Sequence, residues 1–522
     1  MRSNRWLLLV LQAISAVAIS VWAHVANAQD SVNRDNAACL ACHGAPGFSM
    51  PRADGSGRSL FVSAEQFANS VHGGTLSCVN CHSSIADAPH KDVSKSAADW
   101  DRRRLAIAQN CMSCHPKAAQ SYLGTYHGAV VAMGFSDGAS CSDCHGSHGV
   151  LRAANPASSV APANVLKTCQ SCHRDATAGF ATYQPHATTD DFARYPYTWI
   201  ASKFVNLAVG GVLLFFWVHS ALWFYREYRD RRARKLRPHV LVDAPPQAKD
   251  GYYQRWSPMW RWAHLLFAVS IILLVMTGVT LLYPNSAWAP VLERAMGGPR
   301  FAGYLHRIAA VVMVAVFAWH IVYAAVHIAR NWTTFKVFGP YSLMPNWQDA
   351  ADFTAMFKWF FGKRPRPSFD HWNYQQKVDY WAPFWGIAML VTTGAMLWFK
   401  SLTAAFLPGW VFNVASVAHG DEALLAAAYL FTVHYFVNHW RPDKFPLDVV
   451  MFTGSMPLEE FKREYAVEYE RLVKTGQLQK HLVDAPSRPL ALGSQILGFA
   501  LVAVGLALLI MMLIGFGGNL MG

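Results

Sequence analysis

Five Cys-x-x-Cys-His motifs lie between residues 39 and 173 and take up all ten cysteines of the chain. They are Cys39, Cys42 and His43; Cys78, Cys81 and His82; Cys111, Cys114 and His115; Cys141, Cys144 and His145; and Cys169, Cys172 and His173. This spacing is the attachment signature of c-type haem: two thiols add to the haem vinyl groups and the adjoining histidine meets the iron. Disulfides or zinc sites would leave the histidine that closes every motif without a reason. A segment that carries five covalent haems folds around them. The expectation is loops and short helices wrapped on cofactor, with little apolar side-chain core.

Residues 29–199 hold five further histidines, His72, His90, His127, His148 and His186. A low-spin haem built for electron transfer takes two strong axial ligands, whereas a haem that binds substrate keeps one face open. Five motif histidines as proximal ligands and five others as distal ligands fit closed coordination throughout. Ser70-Val71-His72-Gly73 and Tyr126-His127-Gly128 look alike, and each precedes a motif. Which distal histidine serves which haem is not legible in one dimension.

The N-terminus has the form of a secretory signal: Arg2 and Arg5, an apolar run from Trp6 to Val25, and Ala26-Asn27-Ala28 as a small-x-small cleavage site. The mature chain is expected to begin near Gln29, and His24 would leave with the signal. An uncleaved anchor is the alternative. Either form places residues 29–199 outside the cytoplasm, where haem c is attached. Plain disorder of this polar segment would leave its cysteines and histidines unexplained.

After residue 200 the composition turns apolar. Crossing the roughly 30 Å hydrocarbon layer takes about 20 residues. Stretches of that kind occur at about 203–225, 261–283, 304–328, 380–400, 421–440 and 490–516. The loop Arg226–Arg261 carries ten Lys/Arg, Arg330–Lys377 seven and Arg441–Arg488 eight, whereas 284–303 carries two and 402–418 none. Basic loops stay in the cytoplasm, so the motif-bearing segment lies in the periplasm, as export requires. The net charge of +13 is then mostly positive-inside bias rather than a nucleic-acid footprint.

Ionisable side chains inside a span are costly and point to function. The spans contain His219, His264, His306, His320, His327, His419, His434 and His439. His264 opens the second span on the cytoplasmic side and His306 the third on the periplasmic side. His419 and His434 share the fifth span, and fifteen residues at 1.5 Å rise separate them by about 22 Å. That distance would stack two haems across one bilayer.

Residues 252–454 resemble the diheme cytochrome b membrane subunits of formate dehydrogenase (gamma subunit) and nickel–iron hydrogenase. The resembling stretches are Arg261-Trp-Ala-His264 with Thr277-Gly278, Gly303-Tyr-Leu-His306-Arg307, Pro345-Asn-Trp-Gln-Asp349, Gln376-Lys-Val-Asp-Tyr380, and His419 to His434. The resemblance implies a four-helix bundle with two b haems, the cytoplasmic one on His264 and His434 and the periplasmic one on His306 and His419. His419 and His434 stand fifteen apart where fourteen is expected. His320, fourteen beyond His306, and His439 compete for the inner haem. His219, His320 and His327 otherwise read as packing or interfacial histidines; a third b haem between His219 and His320 is the alternative.

The expected organisation is all-α: signal peptide 1–28, periplasmic pentahaem cytochrome c domain 29–199, transmembrane helix 200–228, basic cytoplasmic linker 229–255, diheme cytochrome b four-helix domain 256–445, cytoplasmic amphipathic segment 446–488 and transmembrane helix 489–518. That gives six spans in the mature chain. The architecture is similar to inner-membrane quinone-linked c/b cytochromes of respiring bacteria. It implies five haem c, two haem b and quinone as substrate, with electrons passing between the membrane quinone pool and a periplasmic acceptor or donor such as a c-type cytochrome. Outward flow runs down the membrane potential, while inward flow would conserve energy; the reading leans outward. Two other classes stand beside it: a membrane anchor and conduit for a separate dehydrogenase or hydrogenase subunit, and a multihaem reductase of a small oxyanion. The reductase needs an open iron, for which the motifs give no sign.

Overall fold

The computed structural model describes residues 36–51, 57–83, 85, 89–90, 97–233 and 251–521. The expected signal peptide and most of the basic linker lie outside the described residues. The chain divides into two units, one of residues up to His186 with Ser401–Gly409, the other of Ala187–Lys400 with Trp410–Gly522.

The first unit is built of short helices and turns, with one two-stranded ladder, Ser49–Pro51 against Gly57–Ser59. Its buried apolar cluster is small and centres on Ala108, Tyr122 and Val131. Residues 401–409, part of the loop expected to face the periplasm, belong to this unit: Thr177 Oγ1 donates to the Ala404 carbonyl at 3.2 Å and Gly409 N to the Gly179 carbonyl at 2.8 Å.

Helices α1 (Pro196–Arg232), α2 (Pro258–Leu282), α3 (Pro299–Arg330), α4 (Tyr374–Trp398), α5 (Trp410–Tyr429) and α6 (Arg488–Met521) dominate the second unit. All but α5 are long and apolar enough by themselves to cross a membrane. The path beyond α5 stays helical to residue 440, but through two π-helical segments, Leu430–His434 and Phe436–Trp440. The expected stretch 421–440 is thus the end of α5 with these segments. Helix α2 packs on α3, α4 on α5, and α5 on α1.

The segments expected in the cytoplasm depart from the all-α expectation. Strands β1 (Tyr252–Gln254), β2 (Ser455–Pro457) and β3 (Leu482–Val483) form an antiparallel sheet in the order β2-β1-β3. The end of the expected linker therefore docks on the expected amphipathic tail. That tail is a succession of short elements, with helices Leu458–Glu464 and Ala466–Lys474. Their inward stripe is acidic: Glu460, Glu464 and Glu468 are buried at helical spacing. The repeat His239-Val-Leu-Val-Asp-Ala-Pro245 and His481-Leu-Val-Asp-Ala-Pro486 is half accounted for: its second copy supplies β3, and its first lies outside the described residues.

Buried carboxylates need cations. Arg441 donates to Asp443 at 2.7 and 3.0 Å and to Glu464 at 3.3 Å, and its guanidinium stacks on Trp223. Lys444 reaches Asp448 at 2.7 Å, Glu464 at 3.2 Å and also Glu460. Burial alone would raise the Glu464 carboxyl, but Lys444 and Arg441 hold it down to about 2. A carboxyl held below its unfolded value stabilises the fold above the ordinary carboxylate range and loses that contribution as pH falls towards 2. Arg441→Met leaves Asp443 and Glu464 short of their cation, and breaking such a buried pair costs about 3–5 kcal/mol. Thermal unfolding in detergent checks this: the variant should be strongly destabilised at pH 7 and the gap should narrow in acid.

Candidate functional site

The motifs lie on helical turns, where residues three apart share a face, so the two sulfurs of Cys-x-x-Cys point the same way. The residue before the second cysteine helps to fix two of these turns. Asn80 accepts from Ser77 N at 2.7 Å and Asp143 from Ser140 N at 2.6 Å, closing a capping box at the start of Cys78–Cys81 and of Cys141–His145. Successive motifs are neighbours in space. Cys78 lies beside Cys39, Cys81 beside Cys111 and Cys114, Cys111 beside Cys141, and Cys144 beside Cys169 and Cys172.

Cys42, Cys114 and Cys172, each the second cysteine of its motif, are exposed, whereas the other seven motif cysteines are half-buried.

Each motif histidine faces one of the five others. Ring centroids are 6.1 Å apart for His43–His90, 6.2 Å for His82–His148, 6.2 Å for His115–His72, 6.3 Å for His145–His186 and 6.1 Å for His173–His127. A metal midway between two imidazoles, each bound at about 2 Å, puts the ring centroids about 6.2 Å apart. The spacing is too wide for ring-on-ring contact and uniform across five unrelated loops. It fits a haem iron between each pair, and it supplies the pairing that the sequence withheld. Oxygen meets a far ring nitrogen at several of these pairs: His43 Nδ1 meets the Leu60 carbonyl at 2.9 Å, His186 Nδ1 meets Ser121 Oγ at 2.9 Å, and His148 Nδ1 lies 3.5 Å from Ser147 Oγ. Such bonds set the tautomer that leaves Nε2 bare for iron.

The likeness of the His72-Gly73 and His127-Gly128 stretches has a steric cause. A Cβ on Gly73 would stand 2.1 Å from the Phe67 carbonyl oxygen, and one on Gly128 would stand 2.1 Å from that of Tyr122. In both places the backbone six residues upstream packs against the glycine, and only a missing side chain lets the preceding histidine sit there.

In the membrane unit His306 and His419 repeat the spacing, with centroids 6.3 Å apart. Their support is matched. Thr277 Oγ1 on α2 donates to the Leu273 carbonyl at 2.7 Å and meets His306 Nδ1 at 2.8 Å. Thr393 Oγ1 on α4 donates to the Met389 carbonyl at 2.7 Å and meets His419 Nδ1 at 3.0 Å. Each hydroxyl has spent its hydrogen on its own helix, so it accepts Nδ1–H from the ring and leaves Nε2 bare. A glycine follows each threonine. A Cβ on Gly278 would lie 3.8 Å from His306 Cε1, and one on Gly394 would lie 3.1 Å from His419 Cε1. Thr393-Gly394 escaped the sequence reading; its signal was the repetition of Thr277-Gly278.

The inner group is His264, His434 and His439. His264 Nδ1 is buried without a hydrogen-bond partner among the described residues, and His434 and His439 both lie within its electrostatic reach. The π-helical turns explain the spacing. Each π turn accommodates one extra residue, so fifteen residues from His419 to His434 rotate the helix as fourteen would in an α-helix. The second π turn likewise keeps His439 on the face of His434, one turn on. Hydrogen bonding separates the two rings. His434 Nδ1 faces Asp379 Oδ2 at 3.4 Å, an acceptor, which calls for Nδ1–H and a bare Nε2. Asn438 Nδ2 also lies 3.3 Å from that nitrogen, while donating to the His434 carbonyl at 2.9 Å. His439 Nδ1 instead receives the backbone N–H of Asp448 at 3.4 Å, which puts the ring proton on Nε2 and turns the wrong nitrogen towards a metal.

The remaining membrane histidines go elsewhere. His219, 2% exposed, bonds through Nε2 to Tyr374 at 2.7 Å, with Gln375 Nε2 3.4 Å from Nδ1. His320 Nε2 bonds to Tyr380 at 3.0 Å, and His327 is exposed beside Tyr323. Because His219 and His320 each give Nε2 to a different tyrosine, they have the form of packing histidines.

Residues 178–340 match the family model described as prokaryotic cytochrome b561. No curated protein and no solved structure matches the chain. The match takes in α1, α2 and α3 with His264 and His306, and it ends before α4 and α5, so His419 and His434 rest on the geometry alone. With five helices of membrane-spanning length and composition, it supports a multi-pass membrane protein with a b-type cytochrome part.

Two imidazoles facing each other would close both faces of a c-type iron held between them, so the reduced protein is expected to take up no carbon monoxide at neutral pH. Optical titration checks this, and rapid stoichiometric uptake would reveal an open iron.

Proposed function

We propose that the chain is a quinol/quinone oxidoreductase of the bacterial inner membrane, passing electrons between the quinone pool and a periplasmic partner through two b and five c haems. The observation that carries this reading is the recurrence of one histidine–histidine spacing in six places, five of them joining a motif histidine to a second histidine. His43, His82, His115, His145 and His173 would be proximal ligands, with His90, His148, His72, His186 and His127 as their respective distal ligands. Each pair of motif cysteines, from Cys39 with Cys42 to Cys169 with Cys172, would anchor one haem c. His306 with His419, and His264 with His434, would hold the b haems.

Haem supplies the one-electron chemistry, and the protein supplies position, burial and tuning. Closed axial positions leave electron exchange as the chemistry open to these sites, which argues against the reductase class. The order of motifs in space keeps each haem next to the following one, so residues 39–173 act as a wire. On α2 thirteen residues separate His264 from Thr277, about 20 Å at helical rise, which supports two b sites in opposite halves of the bilayer. A quinol meeting the membrane part gives up its electrons singly and its protons to water. A periplasmic c-type cytochrome is a suitable partner for the exposed end of the wire.

His306→Ala removes one axial ligand of the outer b site, and Thr277 cannot replace it. Quinol should then fail to reduce the c haems in purified membranes, while dithionite still reduces them. Normal quinol reduction in this variant would take the outer b site off the path.

A further inference from the structure

The two pairs of membrane histidines are wired to opposite kinds of charge. At the outer pair both Nδ1–H groups go to neutral hydroxyls, those of Thr277 and Thr393. Arg307 follows His306 directly and acts on it electrostatically. Its guanidinium stands over Trp398 at 5.6 Å, and it lies within reach of Lys400. At the inner pair the acceptor is a carboxylate, and the Asn438 amide nitrogen lies 3.3 Å from the same ring nitrogen while donating to the His434 carbonyl at 2.9 Å. Asp379 Oδ1 accepts from the Tyr429 hydroxyl at 2.7 Å and Oδ2 faces His434 Nδ1 at 3.4 Å. Two donors on two different oxygens is the pattern of an ionised acid. The nearby cations Arg441 and Lys444 are occupied by Asp443, Asp448, Glu460 and Glu464. The acids next to His419 are turned to other groups, Asp421 towards Tyr283 and Glu422 towards Trp385.

A carboxylate that takes Nδ1–H from a ligating imidazole makes that ligand more basic, and a more basic ligand favours ferric over ferrous iron. A cation beside a site does the reverse, because it favours the state with one more electron. The two effects fall on different sites and act in the same direction. We propose that Asp379, bonded to His434, makes the inner b haem the lower-potential one of the pair, with Arg307 raising the outer, so that the bundle itself biases electrons from the cytoplasmic to the periplasmic half. This rests on the proposed reading of His264/His434 and His306/His419 as haem ligands. The step moves one electron: ferrous iron at the inner site is oxidised and ferric iron at the outer site reduced, with no bond or proton exchanged. Asp379 is a positioning residue here, acting through His434.

The test is a spectroelectrochemical titration of the b haems in purified full-length protein, together with their count by pyridine haemochrome. Asp379→Asn keeps the shape and removes the charge. It should raise the lower of the two b transitions, so that the reduced-to-oxidised ratio at a fixed potential grows at least threefold, about 28 mV at 59 mV per tenfold. The upper transition should stay in place. Arg307→Gln should lower the upper transition and leave the lower one. Two b haems with unshifted transitions in Asp379→Asn, or a shift of the upper one alone, would overturn the proposal. A wild-type protein without two b haems would overturn the ligand reading beneath it.

Discussion

One distance, about 6.2 Å between facing imidazole centroids, recurs in both units of the chain, and it is the distance that an iron shared by both rings would require. In the motif-bearing unit, six-residue returns of backbone onto glycine, capping boxes inside the motifs and a small apolar cluster serve to bring histidines from remote loops face to face. In the membrane unit, the same requirement is met by helices that cross the bilayer. Helices α2 and α4, and α5 together with the π segment that continues it, each contribute one group to the inner level and one to the outer: His264 and Thr277, Asp379 and Thr393, His434 and His419. The π turns at the end of α5 belong to the same solution, because they rotate His434 back into phase.

Charge is distributed with equal consequence. Inside the bilayer the rings of His306, His419 and His434 have each been given a specific hydrogen-bond acceptor, a hydroxyl at the outer level and a carboxylate at the inner. Below the bundle, Arg441 and Lys444 gather acids from the loop after the π turns and from the two tail helices. That buried ionic lattice ties the cytoplasmic segments to the end of the helix that carries His434. It is costly to bury and is offset only because its members satisfy one another. The lattice therefore fixes the inner site from below as the threonines fix the outer site from within.

The motifs were legible because their chemistry is local: the spacing Cys-x-x-Cys-His carries its meaning without a fold. The number of spare histidines announced how many distal ligands to expect, but their pairing depended on loop paths that no one-dimensional pattern encodes. His148, three residues past one motif histidine, turns out to face His82, the histidine of a different motif. In the membrane part, hydropathy marked the five helices that are long and apolar enough to cross a membrane. The π turns were visible only as an unexplained fifteenth residue between His419 and His434. Strands β1, β2 and β3 were missed because each is two or three residues long, too short for an alternating pattern. The tail was expected to be amphipathic; that its buried stripe is acidic, held by Lys444 and Arg441 from the preceding loop, is not legible without the fold.

The proposed electron path stands on paired histidines that each hold one haem, five pairs closed by motif cysteines and two within the membrane. Pyridine haemochrome spectra of the purified protein measure this directly. The expected ratio of haem c to haem b is five to two. A ratio of five to zero would contradict the membrane half, and five to three would return His219 and His320 to the set of ligands.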